Sequence, residues 1–291
     1  MKLALAALVA FAAVPPIRAQ AHPFAGEAAG VAAIWESART LPVGAAAAAA
    51  SRGPCIGRRD TISEDEVRRL LDAVAYLSSP YDRNMRIEEC FNAATERLEW
   101  RSARLLFEGL NATALPDAAF GRNSAGNRMS ERYLKTLGSR LDAQTAIEVA
   151  GFQSSGYGRN ELLGGYHEAN VARLDVADAL ALLKGLKATG LPDAGVGGHT
   201  TLRTRIADRH LAAHAMELGT GAVLALVDLV PWTYERNRLI ERHFTWNIRA
   251  LRWEDVQRLL AGVAATELPH AQFGSSSVRD RMIKAWTDCG R

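Results

Sequence analysis

Tyr81-Asp82-Arg83-Asn84, Tyr157-Gly158-Arg159-Asn160 and Tyr234-Glu235-Arg236-Asn237 lie 76 and 77 residues apart. Leu115-Pro116-Asp117-Ala118, Leu191-Pro192-Asp193-Ala194 and Leu268-Pro269-His270-Ala271 return at the same two spacings. Phe120-Gly121-Arg122-Asn123 then repeats the first pattern from within the second series. Anchors therefore fall at Tyr81, Phe120, Tyr157, Val196, Tyr234 and Phe273, spaced 39, 37, 39, 38 and 39. Self-similarity at a fixed period of this size is the signature of a repeat array. Six units of about 38 residues fill residues 60–291.

Each unit reads as two helices. The first carries apolar residues at helical spacing, as in Val67, Leu70, Leu71, Val74 and again in Val256, Leu259, Leu260, Val263. The second shows as Arg128-Met129…Tyr133, Arg205-Ile206…His210 and Arg281-Met282…Trp286. No period-two pattern of useful length competes, so the expected fold is all-α, an α-solenoid of six helix pairs. Gly109, Gly185 and Gly262 recur at one place in the first helix. Glycine there is unfavourable by up to about 1 kcal/mol against alanine, so its return predicts close helix–helix approach. The aromatic anchor is expected in the connection between the helices, with an Asn or Ser after it capping the second helix. Truncating an anchor, as in Tyr157→Ala or Phe120→Ala, is expected to open a core cavity worth about 3–5 kcal/mol.

Composition sets the outer bounds. Of 291 residues 48% are hydrophobic and 23% charged, which excludes wholesale disorder. Three cysteines (Cys55, Cys90, Cys289) exclude a disulfide-framework fold and the Cys-rich zinc patterns. Lys2, the apolar run Leu3 to Val14 and Ala19-Gln20-Ala21 read as a secretory-type signal over residues 1–21. Residues 22–59 hold 12 Ala, four Arg and two acids, and read as a linker or a second, transit-like segment. No later apolar run reaches the ~20 residues that a spanning helix needs, so no membrane span is expected in the mature chain. The final site is expected to be an organelle (plastid or mitochondrion) or the extracellular or periplasmic space.

Arg140-Leu141-Asp142-Ala143-Gln144-Thr145-Ala146-Ile147 and Arg173-Leu174-Asp175-Val176-Ala177-Asp178-Ala179-Leu180 resemble the opening of octotricopeptide-type repeats. That family's repeats have this same length and are helix pairs, in organellar proteins that bind RNA. Ala181 stands where the family usually has Trp. The resemblance implies a helical scaffold that binds single-stranded RNA.

Candidate chemistry is sparse. There is no P-loop, nucleophile elbow or dinucleotide glycine fingerprint. His210 and His214 sit four apart with Glu217 nearby, a spacing that suits a metal. Yet His210 aligns with Tyr133 and Trp286, and His214 with Leu137, which marks both as packing positions. His167 aligns with Phe91 and Phe244, and His243 with Cys90 and Tyr166. No cofactor, metal or catalytic residue is expected, and the chain reads as non-enzymatic. Cys55 and Cys90 form the most plausible disulfide, and plain packing is the other reading of Cys90. Asn111-Ala112-Thr113 fits an N-glycosylation acceptor, although the Ala-Thr also recurs in sister units.

The candidate nucleic-acid-binding residues are Arg83, Arg122, Arg159 and Arg236, each just before the Asn of its motif. Set at successive helix N-termini, they would extend the anion preference of those ends into a ladder for phosphates. Net charge does not help: from residue 60 on, 29 Lys and Arg face 30 acids, a balance of −1. Any nucleic-acid footprint must be local. The expected function is a scaffold for single-stranded RNA; the alternative is a protein- or peptide-binding solenoid in a secreted or periplasmic space.

Overall fold

A computed structural model describes residues 55, 61–110, 124–186, 201–263 and 277–289. Every described residue belongs to one compact unit, Ala47–Arg291. The proposed signal segment, Asn111, Phe120, Arg122, Val196 and Phe273 lie outside the described residues.

Among the described residues all regular structure is helical. Twelve α-helices follow in order: α1 Glu64–Val74, α2 Pro80–Ala94, α3 Trp100–Gly109, α4 Ala125–Leu137, α5 Ala143–Ala150 and α6 Gly156–Asn170. Then come α7 Val176–Gly185, α8 Leu202–Ala213, α9 Thr220–Asp228, α10 Thr233–Asn247, α11 Trp253–Gly262 and α12 Val278–Asp288. Local chemistry sets the starts. Ser63, Ser79, Ser124, Asp142, Ser155, Asp175, Thr201 and Ser277 each accept a hydrogen bond from a free first-turn N–H. Ser63 with Glu66, Asp175 with Asp178 and Ser277 with Asp280 close full capping boxes.

Packing runs in two rows. Even-numbered helices contact one another in sequence, α2 on α4, α4 on α6, α6 on α8, α8 on α10 and α10 on α12. Odd-numbered helices do the same for α1 with α3, and for α5, α7, α9 and α11 in turn. The apolar stripes are buried between them: Val67, Leu70 and Val74 of α1, Ala179, Leu182 and Leu183 of α7, Val256 and Leu259 of α11. Gly109, Gly185 and Gly262 are the last residues of α3, α7 and α11, where the odd helices approach. A Cβ at Gly109 would fall 2.5 Å from Leu71 Cδ2, and one at Gly185 would fall 3.0 Å from Ile147 Cγ1. Leu224 crowds Gly262 in the same way. The close approach expected from the recurring glycines is present.

Consecutive helix pairs among the described residues are of two kinds. In α1–α2, α5–α6 and α9–α10 the helices are joined by four or five residues, and the second helix is 15 residues long. In α3–α4, α7–α8 and α11–α12 about fifteen residues intervene, and the second helix has 13, 12 and 11 residues. This alternation corrects two sequence expectations. Tyr81, Tyr157 and Tyr234 are not in a connection; each is the second residue of its helix, one step after Pro80, Gly156 and Thr233. Asn84, Asn160 and Asn237 do not cap, because Ser79 and Ser155 start α2 and α6 ahead of the tyrosines. Asn84 and Asn237 are instead buried inside their helices. Nor do the tyrosines belong to the core: Tyr81 is 36%, Tyr157 52% and Tyr234 59% exposed.

A disulfide joins Cys55 to Cys90 with a Cα–Cα distance of 4.8 Å, and Cys289 is free and exposed. No helix among the described residues is long and apolar enough to cross a membrane.

Candidate functional site

Arg83, Arg159 and Arg236 are the fourth residues of α2, α6 and α10, so the structure sets all three at one helical position. All three serve the chain's own backbone. Arg83 Nε donates to the Leu77 carbonyl at 2.5 Å, and Arg236 Nε to the Val230 carbonyl at 2.5 Å. Arg159 Nε donates to Gly185 O at 3.3 Å. These acceptors follow or close α1, α9 and α7, where helix ends leave carbonyls without partners and favour a cation. Arg236 also donates to the Asp228 carbonyl and lies 3.5 Å from the Asp228 carboxylate. Arg203 and Arg279, 76 residues apart, act alike: Arg203 binds Leu186 O at the end of α7, which Arg159 also serves, and Arg279 binds Leu260 O and Val263 O at the end of α11. Sequence reading missed this pair, although its spacing matches the repeat.

The four histidines among the described residues fill packing registers. His167, His210 and His243 are at most 1% exposed, as are Phe91 and Phe244 in the register of His167, Tyr133 in that of His210 and Cys90 in that of His243. His167 and His210 meet across α6 and α8 with ring centroids 5.8 Å apart, and His210 and His214 stand 4.6 Å apart. Burial pushes His167 and His210 down to about 4, helped by neighbouring imidazoles, and lowers His243. His214 is different: burial opposes its charge, but bonds to Val171 O (2.8 Å) and Glu217 (3.1 Å) hold it above the ordinary value. Both nitrogens of His210 and Nε2 of His167 lack hydrogen-bond partners. Both ring nitrogens of His214 are engaged within the chain. Among the described residues no group of three or more His, Cys, Asp or Glu is arranged to hold a metal.

Two clefts flank α6. One, of about 320 Å³, opens between α6 and α8 beside Tyr157, Gly164, His167, Arg205 and Arg209. The other, of about 660 Å³, opens between α4 and α6 beside Leu134, Lys135, Leu162, Tyr166 and Ala169. Glu161 and Gly165 line both. A side chain at Gly165 would meet nothing within 4 Å, so α6 presents bare backbone where the clefts adjoin. The lining is mixed in charge: Glu168 pairs with Arg209 at 2.8 Å on the rim of the smaller cleft.

No family model, curated protein or solved structure matches the chain.

Proposed function

We propose that the chain is a non-enzymatic helical-repeat scaffold, an α-solenoid of six helix pairs, that binds an extended peptide segment of a partner protein. The observation that carries this reading is the pair of clefts adjoining over Gly165, a concave path crossing α6 with apolar and charged walls. Concave, partly apolar surfaces with a few placed polar groups are the usual form of a recognition site. The packing of alternate helices in two rows supports the solenoid, since stacked repeats present such extended surfaces. The near-neutral charge from residue 60 on suits a protein partner better than a polyanion. The Cys55–Cys90 disulfide supports delivery through a secretory-type route, with residues 1–21 removed.

Single-stranded RNA is the second reading. It is favoured by the exposed Tyr81, Tyr157 and Tyr234, each two residues from one of the candidate arginines, and by the octotricopeptide-type resemblance. Exposed aromatics beside arginines can stack bases and hold phosphates.

Selection of displayed random peptides on the purified chain, alongside titration with single-stranded RNA, separates the two. Peptide enrichment without RNA binding at physiological salt is the expected result. RNA binding with a log–log salt slope of roughly −2, abolished when Arg83, Arg159 and Arg236 become Gln, would overturn it; that slope is about −0.7 for each of three phosphate contacts. N-terminal sequencing of native material tests the route. A start at His22 is expected; a start near residue 59 would remove Cys55 and its disulfide, and would favour two-step organellar import.

A further inference from the structure

Trp100 and Trp253 open α3 and α11 at the same register of the repeat, 153 residues apart. Each turns toward a ring of the helix that follows, Trp100 toward Tyr133 at 5.8 Å and Trp253 toward Trp286 at 6.0 Å. What lies beyond differs. Trp100 Nε1 donates to Glu148 of α5 at 2.8 Å, its ring stands 6.3 Å from Phe152, and Phe107 stacks on Phe152 at 4.6 Å. Trp253 is 47% exposed, and Leu260, in the register of the buried Phe107 and Leu183, is half-buried. The even row shows the same contrast. Ser130 of α4 and Ala207 of α8 are fully buried, whereas Ile283 at their register in α12 is 47% exposed. The sizes run the wrong way for a surface left to water: small side chains stand where the position is covered, and a large apolar one stands where it is open.

We infer that the outward faces of α11 and α12 form a two-fold interface with a second copy of this chain, in which Trp253 and Ile283 are buried. Charge identifies the occupant. The exposed charges of α12 are Arg279, Asp280, Lys284 and Asp288, two of each sign, so the face neither repels its own copy nor selects a partner of one sign. Asp280, Ile283 and Lys284 share one side of the helix, since Ile283 and Lys284 follow Asp280 by three and four residues. A second α12 laid antiparallel about a two-fold axis near Ile283 brings Asp280 of each copy toward Lys284 of the other, with the two isoleucines between them. Such a contact is self-complementary, as a two-fold interface must be. Trp253, beside it on α11, adds the kind of large, rigid ring in which interfaces are rich. The two helices have 10 and 11 residues, so each is about 15–16 Å long and roughly 10 Å wide, and the interface is a small one. Association is therefore expected at micromolar concentrations. The inference goes beyond the peptide-binding reading and does not depend on it, because the clefts flank α6 and not α12.

Sedimentation equilibrium of the full chain over about 1–100 µM is expected to show monomers in exchange with dimers. Ile283→Ser gives α12 the side chain that α4 carries at Ser130, and should weaken the dimer at least about tenfold with helical circular dichroism unchanged. Engineered thiols fix the orientation. In the chain carrying Cys289→Ser, Ile283→Cys should join two copies by a disulfide on mild oxidation. Cys289 lies six residues past Ile283, so the natural thiols stand roughly 18 Å apart across the axis and should not join. If Ile283→Ser does not fold, the cross-link carries the test. A chain that stays monomeric at about 100 µM, or a dimer indifferent to Ile283→Ser, overturns the inference. Species that grow beyond the dimer would mean that this face meets a different face of the next copy, and overturn the two-fold arrangement. A disulfide between natural Cys289 thiols overturns it as well.

Discussion

Helices α1–α4 and α5–α8, the first and middle units of a doubled repeat of 76–77 residues, place rings at equivalent positions and make different chemistry of them. Phe91 of α2 and Tyr133 of α4 pack with centroids 6.0 Å apart at 43°. Their counterparts His167 of α6 and His210 of α8 pack at 5.8 Å and 47°. In the first unit the cluster grows outward through Phe107, Trp100 and Phe152, and its polar atoms are all used: Tyr133 Oη donates to Leu98 O at 3.0 Å, and Trp100 Nε1 to Glu148 at 2.8 Å. In the middle unit equally buried imidazoles leave three ring nitrogens without partners. Buried polar atoms without partners are destabilising by about 1–3 kcal/mol each. The shape of the position is thus set by the repeat, while its energy is set by the ring placed there.

The largest effect is expected where the cluster is best satisfied. Tyr133→Ala should destabilise the chain by about 3–5 kcal/mol in urea unfolding, through the lost ring and the orphaned Leu98 carbonyl. A loss below about 1 kcal/mol would break the comparison, since it would mean that the ring contacts contribute little.

Acid should separate the two regions next. His167 and His210 are held neutral in the fold with pKa values about 4, against an ordinary 6.5. As pH falls below 6.5 the unfolded chain takes up protons that the folded chain refuses. Stability is therefore lost between about 6.5 and 4, on the order of 2–3 kcal/mol for an independent group and less for the second of a coupled pair. His214, whose value is raised, gains a smaller opposite contribution as it becomes charged, and Arg209 beside His167 adds to the penalty. Carboxylates elsewhere also titrate, so the measurement is the difference between the natural chain and the double variant His167→Phe, His210→Tyr at pH 7 and pH 4.5. Equal acid losses in both chains would remove the histidines from the account.

That same double variant sharpens the comparison at neutral pH, where it copies the first unit's pair into the middle one. It should gain about 1–2 kcal/mol, because polar atoms without partners are replaced by hydrocarbon and by a hydroxyl aimed toward the following turn. A destabilised variant would show that the middle unit cannot accept the larger rings.

Much of this was legible before any coordinates. The apolar spacing at helical period announced an all-α chain, and the recurring Gly109, Gly185 and Gly262 marked close helix contacts. Alignment of His167 with Phe91 and of His210 with Tyr133 correctly placed those imidazoles in the core. What could not be read was which side of a motif faces solvent. In Tyr-x-Arg-Asn the Asn is the inward residue in α2 and α10 and the Tyr the outward one, because the helix starts at the preceding Ser or Trp–Thr step and not after the motif. The same one-turn error made the arginines look like a free edge, when their Nε groups close helix ends.

The smallest effect is expected at the exposed tyrosines, and its smallness asks whether the contrast between units stops at the core. Tyr157 recurs with Tyr81 and Tyr234, and recurrence alone suggested an anchor worth several kcal/mol. Its ring is 52% exposed on the second residue of α6, one step beyond the Ser155 cap. Removing it leaves no enclosed cavity, and substitutions at such positions change stability by about 0.5 kcal/mol or less. Tyr157→Ala should therefore unfold within that margin of the natural chain, while weakening any peptide held in the cleft that Tyr157 lines. A loss comparable with that of Tyr133→Ala would mean that Tyr157 packs against chain beyond the described residues. The long and short connections would then be two versions of one buried anchor, and the division of the units into two kinds would fall.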